Sequence, residues 1–291
     1  MTSRAGSTPA VLFVVAGLAC QEVGASLAVL LFPEVGPLGM VMLRLVFSAL
    51  ILLAIARPRV RGHSRRDWTG VLWFGVVLAC MNGLFYLALE RLPLGVTVTI
   101  EVLGPLVLSI VASRRASAWL WALLAFAGVV ALGGGGWDRL DPLGVLFALG
   151  AAASWAFYIL ASARVGRAFP KLDGLALAMA AGALLSLPFG IADAGAALLR
   201  IELVALGAAV AVLSSTIPYA LELVALRRLP AATFAILMSL APATAAIAGF
   251  VLLGQHLAWL EMVGIGLVIA ASIGAVRSSA RAAREAAEPI A

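Results

Sequence analysis

The sequence predicts an all-α integral membrane protein: ten transmembrane helices arranged as two inverted-topology five-helix repeats, with both termini cytoplasmic. Three observations carry that prediction. Of 291 residues, 64% are hydrophobic and only 12% charged, with a mean hydropathy of +1.11, far from the balance of a soluble globular domain. Apolar runs of about 17 to 25 residues recur, each long enough to cross a hydrocarbon core of roughly 30 Å at about 1.5 Å per residue. The chain also repeats itself in one register. Arg91-Leu92-Pro93 returns 137 residues later as Arg228-Leu229-Pro230, Pro105 as Pro242, Phe32-Pro33 as Phe169-Pro170 and Gly70 as Gly207. A period of that length is a duplicated half and not a short tandem array. The halves are 1–137 and 138–277, followed by a cytoplasmic tail, 278–291.

Taken in order, the spans run Ala10 to Leu31, Leu38 to Ala56, Trp68 to Leu89, Leu94 to Ala112, Ala118 to Gly135, Leu143 to Ala163, Gly174 to Ile191, Leu203 to Val224, Ala231 to Leu253 and Ala258 to Val276. The first follows a polar start holding Arg4, as a secretory signal does. It is too long for one, contains Gln21 and Glu22, and leads directly into the next span, so it reads as a retained helix. Gly133 to Gly136 and Trp137 to Pro142 link the halves on the outside, and the short polar tail from Ser278 is expected to fray.

Basic residues orient these spans. Arg4, Arg57, Arg59, Arg61, Arg65, Arg66, Arg114, Arg115, Arg164, Arg167, Lys171, Arg227, Arg228, Arg277, Arg281 and Arg284 fall on one side; Arg91, Arg139 and Arg200 fall on the other. Sixteen against three places the first side in the cytoplasm. Nine or eleven spans scramble this division. Five spans per half is an odd number, so the second half enters the membrane from the opposite face. Inverted repeats of this kind put a substrate site near the bilayer midplane and offer outward-open and inward-open forms, which is the architecture of a carrier.

Composition also excludes classes. The net charge of +6 sits in loops beside spans, where it sets topology and does not mark a nucleic-acid surface. Cys20 and Cys80 form no metal or disulfide spacing, and no HExxH, G-x-S-x-G or Walker loop occurs, so no enzyme, metal or cofactor is expected. With no ATP site in the chain, active transport must draw on an ion gradient.

Four ionisable residues within the spans stand out: Glu22, Arg44, Glu101 and Glu222. Each costs about 2.5 to 3.5 kcal/mol at a helix centre, so each needs a partner or a wet cavity. Measured from the external end of its own span, Arg44 lies about 9 Å deep, Glu101 about 10 Å and Glu22 about 13 Å, so the three can share one layer. Arg44 and Glu101 could be a structural ion pair locking the second and fourth spans. The functional reading uses all three: one carboxylate stays ionised against the guanidinium, while Glu22 or Glu101 binds and releases a proton in each cycle. A buried cation beside a buried anion complements a zwitterion, which favours an amino acid over a phosphate ester. Glu222, close to the cytoplasmic end of its span beside Arg227 and Arg228, is expected to be an interfacial ion pair.

Polar stripes add further substrate-contact candidates. Asn82, Tyr86 and Glu90 share a face by their spacing of four; Trp155, Tyr158 and Ser162, and Ser215, Tyr219 and Glu222, do the same on the sixth and eighth spans. Interhelical hydrogen bonding and simple packing are the alternatives at these positions. Pro105 after Gly104, and Pro242 after Ala241, interrupt the fourth and ninth spans at equivalent places, as gate hinges of a carrier do.

GASLAVLLFP at Gly24, MNGLFYLALERLPLGV at Met81, ALGAAASWAFYILASARVG at Ala148 and STIPYALELVALRRLPAATFAILMSLAPATAAIAG at Ser215 resemble the drug/metabolite transporter superfamily. Within it, the ten-helix EamA-type branch, and the threonine/homoserine exporters of bacterial inner membranes above all, are most similar. The resemblance implies multi-pass placement in that membrane and export of small amino acids by proton antiport. Arg44, Glu101 and Glu222 match charged positions of those exporters. Two positions depart: the exporters often carry a glutamate directly before the second-half proline and another after the Leu-Gly that follows, where this chain has Ala241 and Gln255; Glu22 is an added acid. The expected partners are a small-molecule substrate, protons and the lipid bilayer, with oligomeric state, a homodimer included, left open. The alternatives are a broad-specificity efflux carrier, in which Arg44 only neutralises, and a non-transporting scaffold or sensor.

Overall fold

Prolines and capping carboxylates set where the helices begin and break. The computed structural model describes residues 7–113, 116–132, 140–226, 228–229 and 231–287. Arg4, Arg114, Arg115, Arg139 and the Gly133 to Trp137 part of the linker lie outside them, as do the side chains of Tyr219, Arg227 and Arg284. The helices are α1 (Ser7–Val35), α2 (Pro37–Ala56), α3 (Arg65–Leu89), α4 (Leu94–Glu101), α5 (Leu103–Ser113), α6 (Ala116–Leu132), α7 (Pro142–Ala168), α8 (Asp173–Ala194), α9 (Ile201–Ala211), α10 (Ile217–Leu226), α11 (Ala231–Met238), α12 (Ala241–Leu253) and α13 (Trp259–Ala287). A π-helical turn, Val212–Thr216, joins α9 to α10.

Among the described residues, eight segments are long and apolar enough to cross a membrane; of these, Leu94–Val111 unites α4 with α5, and Thr233–Leu253 takes in α11 and α12. Two shorter apolar stretches, Ala118–Leu132 and Ile201–Thr216, stand where the fifth and eighth expected spans lie. The tail departs from expectation: α13 runs on through Ala287, so the stretch from Ser278 expected to fray is helical. Its alanines and arginines are strong helix formers and simply extend the preceding turns.

Gly36, at φ 74°, makes the turn between α1 and α2 in a region that strains any side chain, and Pro37 then opens α2. The N–H groups of Leu38 and Gly39 donate to Oδ2 of Asp193 at 2.8 and 3.2 Å, so a carboxylate of the second half caps a helix of the first. Ser64 and Asp67 form a capping box at the start of α3, and Asp141 caps α7 through Leu143 N–H at 2.9 Å.

Breaks matter more to function than starts. Pro105 has no N–H for the carbonyl of Glu101, and the fourth span divides at Val102; Pro242 has none for Met238, and the ninth divides at Ser239 and Leu240. Gly104 is required beside the first break, because a Cβ there would run into the carbonyl of Ala152, where α5 lies on α7.

α2 packs along α8, α3 along α7, α1 along α10, α4 along α12 and α6 along α13. Small residues permit close approach: a Cβ on Gly182 would lie 2.9 Å from the Gly75 carbonyl. Tyr86, Phe74, Leu18, Met40 and Leu45 are fully buried at the centre, while Trp73, Trp119, Phe126 and Phe189 face outward. An outer surface of large apolar side chains is what hydrocarbon surroundings require. At the arginine-poor end, Arg91 pairs with Glu90 and Asp141, at 3.6 and 3.2 Å, and Arg200 with Glu34 and Glu202, at 2.7 and 2.9 Å.

Candidate functional site

A cavity of about 170 Å³ lies within the bundle, lined among others by Gln21, Glu22, Arg44, Asn82, Glu101, Trp155, Tyr158 and Glu222. Seven helices supply its walls, α1, α2, α3, α4, α7, α10 and α11, with Ala241 of α12 beside them. The three intramembrane charges expected to share a layer therefore do meet, and Asn82, Trp155 and Tyr158 join them.

Arg44 is fixed by groups behind it. Its Nε donates to Ser215 Oγ at 3.4 Å, one terminal nitrogen to the Tyr86 hydroxyl at 3.4 Å and the other to the Ser214 carbonyl at 3.3 Å, and the guanidinium carbon stands 5.6 Å from the Tyr86 ring centre. Tyr86, expected from its stripe as a substrate contact, is fully buried against Phe32 and Phe85, accepts a hydrogen bond from Arg44 and is not among the residues that line the cavity. A large ring with a polar tip suits that task, which spacing alone does not distinguish from lining a cavity.

Glu22 is 1% exposed, yet among the described residues its Oε2 has no hydrogen-bond partner. An unsatisfied buried carboxyl oxygen is costly, and the groups that satisfy it are a proton, an ammonium or a water. Glu101 ends α4 at the break forced by Pro105, so its side chain leaves the backbone where the helix is interrupted. Met238, 137 residues further, ends α11 at the break before Pro242 and also lines the cavity. Asn82 spends one amide N–H on the Leu78 carbonyl at 2.8 Å, the helical bond that interhelical alternatives overlook, and still reaches the wall.

Glu222 is the correction. It was expected at the interface with Arg227 and Arg228, but it lines the cavity. It follows the π-turn at Val212–Thr216, and such a turn rotates the residues after it relative to an unbroken helix. The same turn presents Ser214 and Ser215 to Arg44. Sequence reasoning also passed over Gln21, Met81, Phe85 and Met238; only Gln21, a polar side chain adjoining Glu22 inside a span, carried a readable signal. Tyr219 lies among the side chains outside the described residues.

Chemically, one guanidinium and three carboxyl groups in one small chamber can receive a molecule bearing both an ammonium and a carboxylate, with carboxyl groups left over to take a proton.

Comparison with known proteins shows the family. The EamA-like transporter family matches residues 142–277. The threonine/homoserine exporter RhtA of Escherichia coli (strain K12) is 41% identical over 268 residues, covering 91% of this chain and 90% of that protein. The exporter of the same name from Salmonella typhimurium (strain SL1344) is 39% identical over 266 residues, with the same coverage. A solved crystal structure superposes with a TM-score of 0.55 at 20% identity, over 92% of this chain and 97% of the other, and shares the fold.

Proposed function

Because the chain belongs to the EamA-like transporters of the drug/metabolite transporter superfamily and is similar to their threonine/homoserine exporters, we propose that it exports threonine-like small amino acids across a bacterial inner membrane in exchange for protons. It is a multi-pass membrane transporter and not an enzyme. One observation carries the substrate assignment: Arg44, Glu101 and Glu22 face a single chamber. Arg44 receives the substrate carboxylate, Glu101 its ammonium, and Glu22 the proton, with Glu101 the second candidate for that proton. Asn82, Trp155 and Tyr158 shape the remaining wall.

The reading includes ten spans in two inverted repeats with cytoplasmic termini. What supports it is that exchanging the halves preserves several helix pairings: α2 with α8 and α6 with α13 map onto themselves, α3 with α7 maps onto α10 with α1, and α5 with α7 maps onto α12 with α1. The pairing of Arg91 and Arg200 with carboxylates further lowers the free positive charge at the end assigned to the outside. Alternating access follows if the breaks at Pro105 and Pro242 act as hinges, with Gly104 giving α5 its close seat on α7.

Broad-specificity efflux of cationic or aromatic compounds is the second reading, favoured by Phe85, Trp155 and Tyr158 in the wall beside three carboxyl groups. Counterflow of labelled threonine into proteoliposomes, with and without a pH gradient, decides. Saturable exchange that the gradient accelerates and Arg44→Gln abolishes supports amino-acid antiport. Absence of threonine movement by folded protein, or efflux of dyes that Arg44→Gln spares, rejects it.

A further inference from the structure

A second chamber, of about 300 Å³, adjoins the charged cavity, and Trp155 and Met238 line both. Its other walls include Ser109 of α5, Phe234 of α11, Ser239 in the break after it, and Ser272 of α13. Register places it toward the arginine-rich end of the bundle: Ser109 is near the last residue of α5, Ser113, and Phe234 near the first of α11, Ala231. Among the described residues no ionisable side chain lines it, so it differs in kind from its neighbour. Ser239 satisfies itself on the Ala235 carbonyl at 2.9 Å, but Ser272, 6% exposed, has a buried Oγ with no hydrogen-bond partner among the described residues. A lone hydroxyl in apolar walls invites a ligand that brings one polar group on a small apolar side chain.

We propose that this chamber is a second binding station for the transported molecule, entered from the arginine-rich side, which holds neutral amino acids by an aliphatic or hydroxylated side chain before they reach the charged cavity. The inference rests on the exporter reading. Trp155 and Met238 form the partition. Met238 suits a movable partition, since its unbranched thioether has three rotatable bonds and its backbone ends α11 where Pro242 offers no N–H. The station explains how a zwitterion reaches a site ringed by carboxyl groups without first meeting them in open water: its side chain is selected before its charges are.

Threonine counterflow in proteoliposomes, with threonine-induced thermal stabilisation as a separate measure of binding, tests this. Ala235→Phe fills the chamber; counterflow is expected to fall about tenfold or more while the stabilisation by threonine persists. Ser272→Ala is expected to raise the half-saturating threonine concentration about fivefold and to leave alanine exchange unchanged, since alanine has no hydroxyl to lose a partner. If Ala235→Phe does not fold, Ser239→Cys in a chain with Cys20 and Cys80 replaced by serine takes its place: threonine should slow its reaction with N-ethylmaleimide. Wild-type rates in Ala235→Phe and Ser272→Ala, or a cysteine that the bilayer protects and threonine does not, as a lipid tail in the chamber would give, overturn the station while wild-type threonine exchange upholds the exporter. Loss of threonine exchange in the wild type overturns both.

Discussion

Replacing Arg44 with lysine keeps the charge and removes the fork, which isolates what the guanidinium's shape contributes. Three different nitrogens reach Ser215, Tyr86 and the Ser214 carbonyl, at 3.4, 3.4 and 3.3 Å. An ammonium on a flexible stem cannot hold acceptors on α3 and on the π-turn together. These contacts are longer than the usual N–H···O distance of about 2.9 to 3.0 Å, so each is assigned the low end of the net range, about 0.5 to 1 kcal/mol. Together they amount to about 1.5 to 3 kcal/mol, or about ten- to a hundredfold in an equilibrium that depends on a fixed guanidinium. Arg44→Lys is therefore expected to raise the half-saturating threonine concentration for counterflow by that factor, in protein that still elutes as a single species. Tyr86→Phe removes one contact and keeps the ring against Phe32 and Phe85, so about a two- to fivefold rise is expected. A lysine variant that half-saturates at the wild-type concentration refutes the assignment of Arg44 as a shaped carboxylate receptor.

Glu22→Gln should retain threonine exchange but lose its acceleration by a pH gradient, and because Ala241 lines the same cavity, Ala241→Glu in that background should restore the acceleration; acceleration that survives in Glu22→Gln moves the proton to Glu101. Gln255 Oε1 accepts the Leu94 N–H at 2.9 Å and so caps α4 from across the bundle; Gln255→Ala should cost about 0.5 to 2 kcal/mol, read as a lower Tm, whereas Gln255→Glu should match or exceed the wild type by adding negative charge at a helix N-terminus. Asp141, outside the spans, has its pKa held below the ordinary carboxylate value, first by the Leu143 N–H and then by Arg91. Stability from that cap is complete above the unfolded carboxylate pKa and disappears as pH falls through the lowered folded one, so the Tm gap between wild type and Asp141→Asn should narrow over that acid range. A gap that stays constant refutes the cap.

Much of this molecule was legible before any coordinates. Lipid forbids unpaired charge, so Glu22, Arg44 and Glu101 announced themselves by being where they are, and span depth alone put them in one layer. Pro105 and Pro242 likewise named their breaks, because a missing N–H acts locally. What escaped were effects that depend on rotation about a helix axis. Closeness to Arg227 and Arg228 at a span end pointed Glu222 to the interface, and nothing in VLSST marks the extra residue of the π-turn; the spacing of Tyr86 does not say that it is fully buried beside Arg44. Met81, Phe85 and Met238 could not be told from lipid-facing neighbours, since an apolar side chain is at home in either place. Gln255 looked like an isolated change of a family glutamate until Leu94 was found opposite it.

The paired helix breaks carry one more implication. At Glu101 and Met238, both in the cavity wall, a carbonyl is denied its ordinary donor by a proline four residues on. Carbonyl dipoles of that kind can receive an ammonium without any charged side chain. Where either carbonyl faces the cavity, part of the pull on the substrate's ammonium lies in the main chain, and substitution of the residue that owns the carbonyl leaves it in place. A scan that truncates every wall side chain in turn would miss it, and changing Pro105 or Pro242 would bring it to light.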